Sequence, residues 1–148
     1  LKDRIVQINL LYPRSKLPTK ATEGSAAYDL YAYLHYQYQV YPGETAKIST
    51  GVSIHIDNDN VAAHILSRSG LASKGIVVAN APGLIDSDYQ GEIFVLLYNR
   101  TQIPYKIQPG DRIAQLEFVR IQLVDFEKVE AFTESTVRGS SGFGSSGV

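Results

Sequence analysis

Cysteine is absent from this 148-residue chain, so no disulfide can staple the fold. A thiolate–zinc site or a Cys–His nucleophile is excluded for the same reason. No apolar run approaches the length of a membrane span, and Leu1 onward lacks the charged-then-apolar build of a signal peptide. These absences lead us to expect a soluble cytoplasmic protein with no membrane partner. The net charge is −1, which leaves no global basic field for a long nucleic acid. No Gly-Lys-Ser/Thr occurs, so a P-loop is ruled out. Helical periodicity is scarce as well.

What is present is alternation. Residues 44–56 place Ala46, Ile48, Val52, Ile54 and Ile56 at apolar positions separated by polar ones, the pattern of a half-buried strand. Residues 4–10, 61–67, 91–99 and 111–120 also read as strands. Tyrosines 31, 33, 36, 38 and 41 fall on spacings typical of strand faces. Pro-Gly pairs at 42–43, 82–83 and 109–110 mark turns. The one helical candidate is Ser69 to Lys74, with a serine as its cap. Many short strands with frequent turns in a chain of this length predict a single all-β domain, a sandwich or barrel.

The tail is of another kind. Eight of the ten residues from 138 to 147 are Gly or Ser, the others being Arg138 and Phe143. Gly142, Gly144 and Gly147 match the G-x-G-x-x-G fingerprint, but that motif needs a helix after it and only Val148 follows. The choice is between a disordered polar end and a segment that closes on a ligand. In the second case Arg138 supplies a fork for phosphate and Phe143 a face for a base.

Polar residues within the strand-rich body raise similar pairs of readings. Arg68, Ser69 and Gly70 combine a guanidinium, a hydroxyl and an amide without Cβ, which suits either a phosphate cradle or a plain turn. Asp86 and Asp88 flank Ser87, and strand alternation puts both carboxylates on one side. Such a pair could activate water, gather Mg²⁺, or be a solvated turn. Gln115 and Asp29 each sit within apolar runs, as structural hydrogen bonders or as ligand contacts. Histidines 35, 55 and 64 have no second ligand at metal spacing and read as structural.

Taken in order, AAYDLYA (26–32), SRSGLASKG (67–75), NAPGLIDSDYQGE (80–92), KIQPGDRIAQLEF (106–118) and RGSSGFGSSG (138–147) resemble the five motifs of the trimeric deoxyuridine triphosphatases, the dUTPases. The resemblance runs from about residue 16 to the end of the sequence. It implies a jelly-roll-like β-sandwich or barrel over residues 1–137 and a mobile Gly-rich arm over 138–148. It further implies a homotrimer whose three active sites each draw on all three chains. The expected reaction is hydrolysis of dUTP to dUMP and pyrophosphate, which limits uracil in DNA and supplies dUMP for thymidylate.

By the same resemblance, Asp86 is the general base for the attacking water, and Mg²⁺ is the cofactor, carried on the phosphates. Asp29 orders water around that ion and is not a direct ligand. Arg68, Ser69, Gly70 and Gln115 contact phosphate. Asn80, Gly83, Leu84 and Ile85 form the uracil pocket with Phe94, and Tyr89 packs on the deoxyribose. Arg138, Phe143, Gly144, Ser145 and Ser146 close over the nucleotide, Phe143 stacking on uracil. The Arg68–Asp86 interval is one residue shorter than in many bacterial relatives. Ser146 stands where threonine is common, and Phe94 where many relatives carry a polar or long side chain.

Two other readings compete. A deoxycytidine triphosphate deaminase shares the broader fold but would need an acid/base group placed against the C4 of the base. A nucleotide-occupied regulator of a protein partner would not need Asp86 at all.

Overall fold

The long strands foreseen from alternation are the long strands of the structure. A computed structural model describes residues 5–145 and 147. Its elements in chain order are β1 (Gln7–Leu10), β2 (Tyr28–Tyr31), β3 (Tyr38–Val40), β4 (Thr45–His55), β5 (Val61–Leu66), α1 (Ser69–Ser73), β6 (Ile76–Val78), β7 (Gly83–Ile85), β8 (Glu92–Asn99), β9 (Tyr105–Ile107) and β10 (Arg112–Arg120). One antiparallel sheet runs β1-β4-β8-β6 and a second β2-β10-β5-β7, with β3 and β9 forming a small ribbon. Ser146, named above as a tail contact, lies outside the described residues.

The inward faces of the two large sheets make one apolar core. Ile48, Val95, Leu97 and Ile93 from the first sheet meet Leu30, Ala63, Ala114 and Leu116 from the second, all at most a few per cent exposed. Burial of such branched side chains, at roughly 25 cal/mol per Å² of apolar surface, supplies the main driving force for closure. β8 alternates without a break, with Ile93, Val95, Leu97 and Asn99 inward. Asn99 is fully buried and fully used. Its Nδ2 donates to Val40 O at 2.9 Å and Ile103 O at 2.8 Å, and its Oδ1 accepts from Thr101 N and Oγ1. A buried amide so satisfied ties the β3–β9 ribbon to the first sheet.

The β4–β8 pairing shifts register between Ser49 and Ser53. Gly51 lies in that irregular stretch at φ +69°, where a Cβ would run into the Ser15 side chain. Glu92 fastens it, accepting from Ser49 Oγ and from Gly51 N at 3.0 Å.

Three local expectations are revised. Tyr31 and Tyr38 lie in strands, but Tyr33, Tyr36 and Tyr41 do not; Tyr33 instead stacks on Tyr12 at 4.7 Å. Pro82-Gly83 is less a turn than an entrance: the Ala81–Pro82 peptide is cis and Gly83 already begins β7. The helix is capped by the backbone of Arg68 with no side-chain bond, so no serine serves as its cap.

Beyond β10 the chain changes character. From Ile121 to Val137 every residue is exposed, including Phe126 at 97% and Phe132 at 90%. Among the described residues, only the first of these bonds back to the body through its backbone, Ile121 N donating to Asn60 O at 2.9 Å.

Candidate active site

Pairing of β2, β10 and β5 sets Asp29 opposite Gln115 and Gln115 opposite Leu66. Three motifs distant in sequence thereby meet on the outer face of one sheet. Asp29 is the only carboxylate that is buried among the described residues. Its Oδ1 accepts from Arg68 Nε at 3.0 Å, and Arg112 Nη1 stands 3.6 Å from Oδ2. Gln115 donates through Nε2 to Ser67 O at 2.8 Å, while Ser67 Oγ accepts from Val78 N at 2.8 Å. The end of β5 is therefore fixed on both sides where α1 begins.

Arg68 is pinned through Nε and through Nη1, which donates to Arg112 O at 3.2 Å. A guanidinium has five N–H donors, so three are left for a ligand. Ser69 and Gly70 follow in the first turn of α1, both exposed, and the first intrahelical bond is made only by Ala72 N to Arg68 O. Their N–H groups thus have no helical acceptor. A Cβ on Gly70 would meet nothing within 4 Å. The chain's own packing therefore gives no reason for a glycine there. One guanidinium edge and two amides, side by side, can receive phosphate oxygens.

β7 carries the second group. Gly83, Leu84 and Ile85 pair with Ile65, His64 and Ala63, and a Cβ on Gly83 would come within 3.2 Å of Ile65 Cβ and 3.4 Å of Asn80 Nδ2. The tight approach is to Ile65, while the Asn80 amide lies beside it at ordinary contact distance. Gly83 and Ile85 face inward, whereas Leu84 is 62% exposed. Strand alternation does not extend to Asp86 and Asp88. The chain turns after Ile85, with Tyr89 N donating to Asp86 O at 3.1 Å. Both carboxylates are exposed on this turn. The Tyr89 ring lies over Gly91, where a Cβ would sit 2.5 Å from the phenolic oxygen, and its hydroxyl donates to Glu92 O at 2.9 Å. It is a ring fixed at its tip with its body still 44% exposed.

These two groups do not meet within one chain. Asp86 follows the residue paired with Ala63, while Arg68 lies beyond the other end of β5. At about 3.3 Å per residue, that separates them by on the order of 15–20 Å. Phe94 is in the other sheet, paired with Ser49 and covered by Lys47 Nζ at 4.3 Å from its ring centroid. In the tail, Arg138 Nε donates to Ser141 O at 3.0 Å and Ser145 N to Gly142 O at 3.2 Å. Phe143 is fully exposed, at φ +51°, and Gly144 follows at φ +86°.

Each histidine has a charged neighbour: His35 with Arg14, His55 with Asp57, and His64 with Glu117 at 3.1 Å. Among the described residues, no three His, Asp or Glu side chains gather as an ion site. Arg112 was not anticipated from the sequence, although it lies within the 106–118 motif and directly after the Pro-Gly turn.

Known proteins similar to this chain identify its family and fold. A family model described as dUTPase matches residues 14–147. The deoxyuridine 5'-triphosphate nucleotidohydrolase of Histophilus somni (strain 2336) is 52% identical over 147 residues, covering 96% of this chain and 97% of that protein. That of Haemophilus influenzae (strain PittEE) is 54% identical over 132 residues, 88% of this chain and 87% of that protein. Among solved structures, Staphylococcus bacteriophage 80alpha dUTPase with dUPNHPP superposes at a TM-score of 0.88 and 28% identity, over 98% of this chain and 99% of that one. A mutant dUTPase from phage phi11 of S. aureus, described with a structural Mg(II) ion, superposes at 0.79 and 25% identity, over 88% and 99%. No helix among the described residues is long and apolar enough to cross a membrane. With its all-β fold and its motifs placed on one sheet and the turns around it, the chain belongs to the dUTPase family.

Proposed function

We propose that this chain is a dUTP diphosphatase that hydrolyses dUTP to dUMP and pyrophosphate in sites completed by three copies of itself. The observation that carries the shared site is the separation along β5. Asp86 and Tyr89 lie at one end, and Asp29, Arg68 and Gln115 at the other. One nucleotide can touch both groups only if a second chain brings its β7 turn to the first chain's phosphate group. The exposed apolar side chains between Ile121 and Val137, Phe126 and Phe132 among them, then have a surface to cover, and the tail beyond Arg138 a neighbouring site to close. A segment that orders only on binding loses its entropy at that step and not during folding.

In this reading Asp86, exposed on its turn, accepts a proton from the water that attacks the α-phosphorus in line, and pyrophosphate leaves on the far side. Arg68, Ser69, Gly70 and Gln115 hold the phosphate oxygens. Asn80 and the backbone of Gly83, Leu84 and Ile85 meet the uracil edge, leaving no room for a 5-methyl group. Cytosine's amino group would leave buried partners mismatched, and such mismatches discriminate strongly. Tyr89 packs against the deoxyribose where a 2′-hydroxyl would clash. Arg138, Phe143, Gly144, Ser145 and Ser146 form the lid, and Phe94 borders the base pocket.

Mg²⁺ bound to the phosphates supplies charge neutralisation on the leaving group. Asp29 fits a role beside that ion and not on it, because both its oxygens already face arginines. The reaction lowers dUTP, and with it uracil incorporation into DNA, and yields dUMP for thymidylate synthesis in the cytoplasm.

The test is parallel incubation with dUTP, dCTP, dTTP and UTP in Mg²⁺, with products separated by anion exchange. Only dUTP should disappear, giving dUMP and pyrophosphate. Release of dUTP from dCTP would overturn the reading in favour of deamination. A stable active monomer by sedimentation equilibrium would remove the shared site.

A further inference from the structure

Arg112 reaches Asp29 because of a backbone irregularity. Counting back from the outward Gln115, strict alternation would point Arg112 into the core. The β10–β2 pairing instead shifts register between Arg112 and Ala114, so Ile113 and Ala114 are both buried and Arg112 emerges on the outer face. Bulges often re-aim a side chain beside a functional site. Here the re-aimed side chain stands opposite the Asp29 Oδ2, while its backbone carbonyl accepts from Arg68 Nη1.

Two arginines therefore share one buried carboxylate, and they do so unequally. Arg68 engages only Oδ1, through Nε, whereas the preferred geometry of an unconstrained Arg–carboxylate pair is a two-point fork through Nε and Nη2. A fork would take Nη2 away from solvent and from any ligand. We propose that Arg112 is a positioning residue. By occupying the Oδ2 side of Asp29 it holds the Arg68–Asp29 contact to a single point and leaves the Arg68 Nη2 edge for the triphosphate. This inference rests on the phosphate-binding role given to Arg68. Arg112 is 52% exposed at its side chain, and its loss leaves the Asp29 carboxylate still paired with Arg68 through Oδ1.

The experiment compares wild type, Arg112→Gln, Arg112→Lys, Asp29→Asn and the Arg112→Gln/Asp29→Asn double variant of the full chain. Binding of inorganic triphosphate and of dUMP is followed by calorimetry, alongside kcat and KM for dUTP. Arg112→Gln is expected to weaken triphosphate binding and raise KM by about tenfold, the size of a lost charged hydrogen bond. Its kcat should stay within about threefold and its dUMP affinity within about twofold. Arg112→Lys should recover most of the loss. In the Asp29→Asn background the same change should have little effect, because the carboxylate that would clamp Arg68 is gone.

An unchanged triphosphate affinity in Arg112→Gln overturns the proposal. So does an equal loss for dUMP and triphosphate, or a full loss in the Asp29→Asn background. If Arg112→Gln fails to fold, Arg112→Lys decides: a small loss of triphosphate affinity with dUMP affinity unchanged supports the proposal, and an equal loss for both ligands overturns it. A wild type that binds triphosphate but does not turn over dUTP would sink the proposed reaction and leave this contact map standing.

Discussion

Arg68 sits just beyond the end of β5 with two nitrogens already bonded to the sheet, whereas among the described residues the Arg138 side chain bonds only to a carbonyl three residues along its own tail. Both are offered to phosphate, and the difference lies in when their order is established. The Arg68 group is fixed by folding: Asp29, Gln115 and the Ser67 turn hold one another before any ligand arrives. A site so organised loses little freedom on binding. Among the described residues the tail has only short turns, at Thr136–Gly139, Arg138–Ser141, Gly142–Ser145 and Gly144–Gly147, and its aromatic ring is fully exposed. In the proposed reading its order comes from the nucleotide and a neighbouring chain. On that reading one region would set where the phosphates lie, and the other how long they stay.

The most severe way to break the comparison lies in the turn between these regions. Asp86→Asn should lower dUTP turnover by about 10²–10⁴-fold while leaving nucleotide binding intact, read from pyrophosphate release and calorimetry. Turnover that survives would show that Asp86 is not the base. Deleting residues 138–148 should reduce kcat on the order of 100-fold without changing the oligomeric state or melting temperature, because among the described residues the tail's hydrogen bonds stay within the tail.

Arg68→Ala should behave in the opposite manner. It removes a phosphate contact and also strips Asp29 of its nearer partner, so stability should fall by about 1–3 kcal/mol in urea titration along with activity. A tail arginine replaced in the same way, Arg138→Ala, should raise KM by about tenfold and leave the urea midpoint where it was. Equal effects on stability from the two substitutions would erase the distinction.

The smallest effect belongs to a control outside both regions. Tyr38 Oη donates to Glu44 at 2.6 Å and Tyr41 N donates to its other oxygen at 2.7 Å, and these bonds hold the Glu44 carboxyl below its ordinary pKa. A lowered folded pKa stabilises the protein above the unfolded value and is lost as pH falls through the folded one. Tyr38→Phe should therefore cost less than about 1 kcal/mol near neutrality. The difference from wild type should fade in acid, with activity unchanged.

The parts of the fold that could be read in advance were those long enough to show a period. β4, β5, β8 and β10 carry six to eleven residues each, and their alternation marks the core directly. β3, β6, β7 and β9 have three residues each, too few for any period to register, and they exist because a longer neighbour pairs with them. The same limit explains the Asp86–Asp88 turn. Asp86, Ser87 and Asp88 do not alternate as a strand because the chain bends after Ile85.

Residue types and their order were enough to determine an all-β chain, its principal strands, the motifs and the exceptional tail, because side-chain chemistry and period two are written locally. Tertiary structure alone decided that Asp29, Arg68 and Gln115 are neighbours and that Asp86 lies far from them in the same chain. It alone brought Arg112 to the outer face. Those facts depend on strand register and on one bulge, and register is settled by pairing between segments tens of residues apart.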